Sequence, residues 1–274
     1  MLIKRILTAI IGVIVAGYII NYGQWLFACS VGILALLAWQ EFCVMFKQAN
    51  ISLWSGTGSV GIALLLGCAW LGNSQEINML VMMLTLLVLV KTVVFSPKFN
   101  IMNAAVTLFG ILYIGLSFSH LLLLRFTDPS VYITSVFGSL SFGTAFLWIA
   151  FIGTWANDTF AFFVGSRFGK NKLCPQVSPG KTIEGAIGGI VGSILVVVLL
   201  GCLFKISLIH SAILGLLVGI VAPIGDLSES AVKRFTGVKD SGKLLPGHGG
   251  VLDRFDSIMF AVPTVYYYLH AFVL

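Results

Sequence analysis

Residues 6–40 contain no Asp, Glu, Lys or Arg, and neither do 48–75, 99–124 or 129–157. A water-soluble protein draws roughly 25% of its residues from those four types to cover its surface. Here they supply 9%, against 58% for the apolar set. Uncharged runs this long are at rest only in hydrocarbon, where a helix satisfies its own backbone. The expected fold is therefore all-α, a polytopic integral membrane protein. The five cysteines (Cys29, Cys43, Cys68, Cys174 and Cys202) contain no CxxC pair and sit mostly in apolar runs, which argues against both a zinc site and a disulfide framework.

At about 20 apolar residues per crossing, nine spans fit the chain: 6–20, 25–40, 54–72, 77–95, 101–124, 142–165, 183–204, 207–226 and 256–274. Lys4-Arg5 ahead of the first resembles a signal-peptide start, but another apolar run follows instead of a cleavage site, so it reads as a retained span. Lys91, near one end of the fourth, can snorkel to the interface. With the N-terminus in the cytoplasm, nine crossings put 14 Lys/Arg on that side and leave only Arg125 and Lys205 on the other. That asymmetry is the positive-inside rule. The formal net charge of +6 then faces anionic headgroups and nucleotides, and nucleic acid is not needed to explain it. Residues 1–150 read as a transmembrane scaffold. Residues 151–274 read as the catalytic region, with cytoplasmic loops at 166–182 and 227–255.

Ten of the 26 charges fall within residues 225–256. Asp226, Glu229, Ser230 and Lys233 stand at i, i+3, i+4 and i+7, one stripe of a helix, and continue the eighth span out of the bilayer. Asp253 and Asp256 form a second i, i+3 pair. Three carboxylates without a Cys or His cluster suit a hard cation such as Mg²⁺, which takes one or two carboxylates plus substrate phosphate. Between them lies Leu245-Pro246-Gly247-His248-Gly249-Gly250, where Pro and Gly forbid a regular helix and leave N–H groups free for an anion.

The earlier loop adds Asp158, inside the sixth span, and Ser178-Pro179-Gly180-Lys181-Thr182-Ile183-Glu184-Gly185. Gly180-Lys181-Thr182 resembles the end of a P-loop. A P-loop is excluded because position 175 is Pro where the motif needs Gly, and because no strand is expected ahead of it. What remains is a helix N-terminus with Lys181 and Thr182 beside it, a seat for phosphate. Gly185, Gly188, Gly189 and Gly192 read as helix-packing positions.

Ser230-Ala231-Val232-Lys233-Arg234, then Lys239-Asp240-Ser241-Gly242, then Leu245 through Asp256 resembles the signature of the CDP-diacylglycerol synthase (phosphatidate cytidylyltransferase) family, and Ser178 to Gly185 is similar to that family as well. The resemblance implies that CTP and phosphatidic acid, a membrane lipid, give CDP-diacylglycerol and pyrophosphate at the cytoplasmic side of a bacterial-type inner membrane. It implies Mg²⁺ on Asp226, Asp253 and Asp256, and allows a second cation such as K⁺ and a homodimer. Lys233, Arg234, Lys239 and Arg254 are the expected phosphate contacts, with Asp158, Ser178, Lys181, Thr182, Glu184, Ser230 and Asp240 near the substrates. His248 would assist the leaving group or brace its loop. Two alternatives stand beside this reading. A CTP-dependent lipid kinase is disfavoured by the full signature. An ion-coupled transporter using Asp158 and Asp226 has no need of so many charges around a Gly-rich loop. A CDP-alcohol phosphotransferase is excluded because the chain has no Asp-Gly dipeptide.

Overall fold

The computed structural model describes residues 2–72, 74–136, 138–243 and 249–274. Helix takes 75% of the chain. The order is α1 (Leu2–Tyr22), α2 (Gln24–Gln48), α3 (Ser55–Trp70), α4 (Ser74–Val94), α5 (Ile101–Gly110) running through a π-helical stretch (Ile111–Leu116) into α6 (Ser117–Arg125), hairpin β1 (Tyr132–Ser135) and β2 (Gly138–Ser141), α7 (Phe142–Phe168), hairpin β3 (Lys172–Cys174) and β4 (Ser178–Thr182), α8 (Ile183–Leu203), α9 (Leu208–Phe235), α10 (Leu252–Phe255) and α11 (Ile258–Phe272). Among the described residues six helices are long and apolar enough to cross a membrane: Gln24–Gln48, Gln75–Val94, Ile101–Arg125, Phe142–Phe168, Ile183–Leu203 and Leu208–Phe235. Shorter apolar helices, Ile11–Tyr22, Ser55–Trp70 and Ile258–Phe272, lie under the remaining expected spans. On α4 the outward side chains are Met79, Met82, Met83, Leu86, Val90 and Val93, all exposed, an apolar face suited to lipid.

The chain forms two compact units, Met1–Leu123 with Lys233–Arg254, and Leu124–Val232 with Phe255–Leu274. The stretch 151–274 contributes to both units. Neither loop is structureless. Residues 172–182 pair as an antiparallel hairpin, Lys172 opposite Thr182 and Cys174 opposite Ser178. Residues 227–235 continue α9. At 1.5 Å per residue a 28-residue helix is about 42 Å long, and a hydrocarbon core of about 30 Å leaves its end in water.

In the first unit the core forms around Trp39, Phe42, Ile62, Leu65, Ile111 and Ile114, all buried. Gly58 and Gly110 admit it: a Cβ on Gly58 would fall inside the Trp39 ring, and one on Gly110 would lie 2.7 Å from it. Trp39 Nε1 donates to the Ser55 carbonyl at 2.9 Å, satisfying the indole where it is buried. Lys91 meets aromatic faces, its Nζ 3.6 Å from the Trp54 centroid and 4.6 Å from that of Phe99, a cation–π seat for a charge at the end of an apolar helix. In the second unit α7 and α8 lie close because glycine lines the contact. A Cβ on Gly188 would come 2.5 Å from Val164, one on Gly189 2.9 Å from the Asn157 carbonyl, and one on Gly192 into the Phe160 ring, the small-residue packing of membrane helices.

Candidate active site

In the second unit, α7 presents Asp158, Ala161, Phe162, Gly165 and Ser166 along one stripe, spaced i, i+3, i+4, i+7 and i+8. With Gly180, Lys181 and Thr182 of β4, Gly185 and Ala186 of α8, and Pro223 and Asp226 of α9, this stripe lines an open cavity of about 430 Å³. Four residues expected from the sequence, Asp158, Lys181, Thr182 and Asp226, therefore meet on one surface. Lys181 Nζ lies 2.7 Å from Asp226 Oδ2, with both side chains partly exposed. Ser230 Oγ donates to Asp226 Oδ1 at 3.2 Å, one helical turn on. Thr182 is the N-cap of α8 and accepts from the Gly185 N–H at 3.1 Å.

Three residues before Asp226 its helix carries a proline. Pro223 has no N–H to give the Gly219 carbonyl one turn back. Asn157 of α7 supplies the missing donor, Nδ2 to Gly219 O at 2.9 Å, and is itself buried. Lys181 Nζ also reaches the Pro223 carbonyl at 3.4 Å. Gly225, next to Asp226, packs against the start of the last apolar segment, where a Cβ would lie 2.5 Å from the Asp256 carbonyl. The Asp256 carboxylate accepts from the Ser257 N–H at 2.6 Å.

The first unit holds most of the charged residues of 225–256. Asp253 Oδ1 takes the Lys233 ammonium at 2.7 Å, with both side chains nearly enclosed. Its Oδ2 accepts from Ser241 N at 2.9 Å, Ser241 Oγ at 2.9 Å and Gly250 N at 2.8 Å. Burial works against ionisation of Asp253. The Lys233 hydrogen bond and charge, with the Gly250 and Ser241 N–H groups, outweigh it and hold the carboxyl below the usual carboxylate range. Lys233, expected on a substrate phosphate, is thus buried on Asp253. Arg234, Lys239, Asp240 and Arg254 are exposed.

Other expected residues serve the scaffold of the site. Glu184 accepts from the Lys170 and Asn171 N–H groups and from Asn171 Nδ2 at 2.8 Å, which ties the hairpin to α8. Ser178 opens β4 and is outside the cavity lining. A strand does precede Lys181-Thr182, contrary to expectation, because the loop folds back on itself as a hairpin. The P-loop remains excluded by Pro175. His248 lies outside the described residues. Sequence reasoning passed over Asn157 and Glu41. Glu41 is the sole acid in the first 75 residues, a signal in itself, since a charge at the end of an apolar helix needs partners.

Among the described residues, neither unit gathers three Asp, Glu, His or Cys side chains closely enough to hold a metal ion unaided. Mg²⁺ does not require that, since it takes one or two carboxylates and completes its shell with water and phosphate oxygens. Asp226 and Asp158 offer hard oxygen donors on an open cavity, and Asp226 already seats an ammonium at 2.7 Å. These residues fit such an ion.

Fold and site define a multi-helix membrane protein with an acid- and lysine-lined cavity. The cytidylyltransferase family model matches residues 3–272, so the chain belongs to that family. A phosphatidate cytidylyltransferase of Staphylococcus saprophyticus is 34% identical over 267 residues, covering 95% of this chain and 96% of the relative. One from Staphylococcus aureus strain COL is 35% identical over the same span, and one from Bacillus subtilis strain 168 is 30% identical over 282 residues, covering 98% of each chain. With its apolar helices and bacterial relatives, the chain is an integral membrane protein of the plasma membrane.

Proposed function

We propose that this chain transfers the cytidylyl group of CTP to phosphatidic acid, releasing pyrophosphate and leaving CDP-diacylglycerol in the membrane. The observation that carries the reading is near full-length similarity to phosphatidate cytidylyltransferases in a chain whose cavity pairs Asp226 with Lys181 at the end of apolar helices. A phosphate oxygen of phosphatidate forms a bond to the α-phosphorus of CTP as the bond from that phosphorus to the β-phosphate bridging oxygen breaks. The nucleophile is anionic near neutral pH, so the chain needs no dedicated base. Its task is to place like-charged groups and offset their repulsion.

The acids proposed to serve Mg²⁺ are Asp226, Asp253 and Asp256, with Asp158 facing the same cavity as Asp226. When bound, the ion supplies charge neutralisation at the phosphates. Lys181 offers its ammonium to a phosphate entering the cavity, and Arg234, Lys239 and Arg254 supply further positive charge. The Thr182-capped start of α8 adds its N–H groups and dipole. His248 is proposed to assist the leaving pyrophosphate. Neither a K⁺ ion nor a homodimer is required by this scheme.

We further propose that all nine apolar helices cross the membrane, with the N-terminus and the charged segments in the cytoplasm. Support comes from the 14-to-2 division of Lys and Arg. CTP labelled at either the α- or the γ-phosphate, incubated with the purified chain, phosphatidate and Mg²⁺, tests the reaction. The α-label is expected in lipid and the γ-label in pyrophosphate. A γ-label in lipid would identify a kinase.

A further inference from the structure

Glu41 sits near the end of α2, some 200 residues before the segment it binds. Its carboxylate accepts from Val251 N at 2.9 Å, Leu252 N at 3.0 Å and Ser241 Oγ at 3.1 Å. Ser241 also faces Asp253 Oδ2. Its single hydroxyl proton can be donated to only one of the two carboxylates at a time, and their charges are met by backbone N–H groups and by Lys233. Glu41 also explains two glycines of the signature. Gly249 has φ +87°, a conformation that itself favours glycine. Gly242 and Gly250 have no such φ. A Cβ on Gly242 would instead fall onto the Glu41 carboxylate, and one on Gly250 onto Glu41 and Ser241. At these two positions a side chain would have to displace the Glu41 carboxylate, and at Gly250 the Ser241 hydroxyl as well.

We propose that Glu41 is a positioning residue for the transfer reaction: it holds Ser241 by its hydroxyl and Val251 and Leu252 by their backbone N–H groups, beside Asp253, without touching substrate. The proposal rests on the cytidylyl-transfer reading. A charged group here has a specific advantage, because hydrogen bonds to an ionised acceptor are short and roughly twice as strong as neutral ones. Buried N–H groups left without that acceptor cost more than the bonds contribute.

The test uses the full-length protein in nanodiscs, with kcat, KM for CTP, folded fraction and thermal midpoint measured for Glu41→Ala, Glu41→Gln, Gly242→Ala and the Glu41→Ala/Gly242→Ala double variant. Glu41→Ala is expected to insert and fold, to lose about 10- to 100-fold in kcat as supporting groups around phosphate and metal sites do, and to keep its KM for CTP within about threefold. Glu41→Gln, which keeps an acceptor oxygen, recovers part of the loss. Gly242→Ala is impaired alone, and removing Glu41 removes its clash, so the double variant is no worse than Glu41→Ala. A folded Glu41→Ala with wild-type kcat overturns the proposal, as do losses that multiply in the double variant or that merely track the amount of folded protein. If the wild type transfers no CMP, the reaction reading falls instead. The thermal midpoints still test the contact: Gly242→Ala must lower the midpoint with Glu41 present and leave it unchanged in the Glu41→Ala background, or the contact too is refuted.

Discussion

Lys181 touches both things that make α9 unusual, the Asp226 carboxylate at 2.7 Å and the Pro223 carbonyl at 3.4 Å. If it also receives phosphate, its loss acts on the reaction as well as on the helix. Lys181→Ala is expected to lower kcat/KM for CTP by at least about tenfold, with Lys181→Arg restoring part, since charge is kept while the point-like geometry is not. Asp158→Asn, on the same cavity, should lower turnover without a shift in thermal midpoint, because its side chain is exposed there. Steady-state kinetics beside melting curves separate the two effects. Near-normal turnover would return either residue to the scaffold. Asp226 was legible in the sequence because an acid directly after an apolar run stands out, and Lys181 because it is the lysine of a Gly-Lys-Thr sequence. Glu41 was not, since its partners Val251 and Leu252 are backbone groups some 210 residues away and no local spacing marks them.

The helical elements follow from the uncharged runs, and each expected span has a helix over it. The hairpins were not foreseen. Strands of three to five residues carry too few alternating side chains to signal pairing, and the β3–β4 hairpin is secured by Glu184 from outside it. The extension of α9 was only half read: the stripe from Asp226 to Lys233 predicted a helix, yet the loop was expected from residue 227. The Pro223 repair gives a prediction at this scale. Asn157→Leu leaves the Gly219 carbonyl buried without its donor and should cost about 1–3 kcal/mol, read as a lower thermal midpoint in detergent. In a Pro223→Ala background residue 223 regains an N–H for that carbonyl, so the same substitution should cost much less. Equal costs in the two backgrounds would refute the repair.

For the whole molecule, composition decided the class and the charged segments located the chemistry, whereas the packing into two units was not legible, because residues 233–254 join a unit formed by the first 123. Topology has a direct check. A cysteine at position 240 is expected to react with a membrane-impermeant reagent only from the cytoplasmic side, and one at position 205 only from the other. Labelling of 240 from outside would invert the orientation.

The central claim is Mg²⁺-dependent transfer of CMP to phosphatidate with Asp226 essential. The measurement is pyrophosphate released against CDP-diacylglycerol formed by the purified chain, wild type beside Asp226→Asn, across a Mg²⁺ titration. The account predicts equal amounts of the two products from the wild type, none without a divalent ion, and a loss of at least about 100-fold in Asp226→Asn with unchanged thermal stability. Turnover by Asp226→Asn at the wild-type rate, or pyrophosphate released without CDP-diacylglycerol, would contradict it.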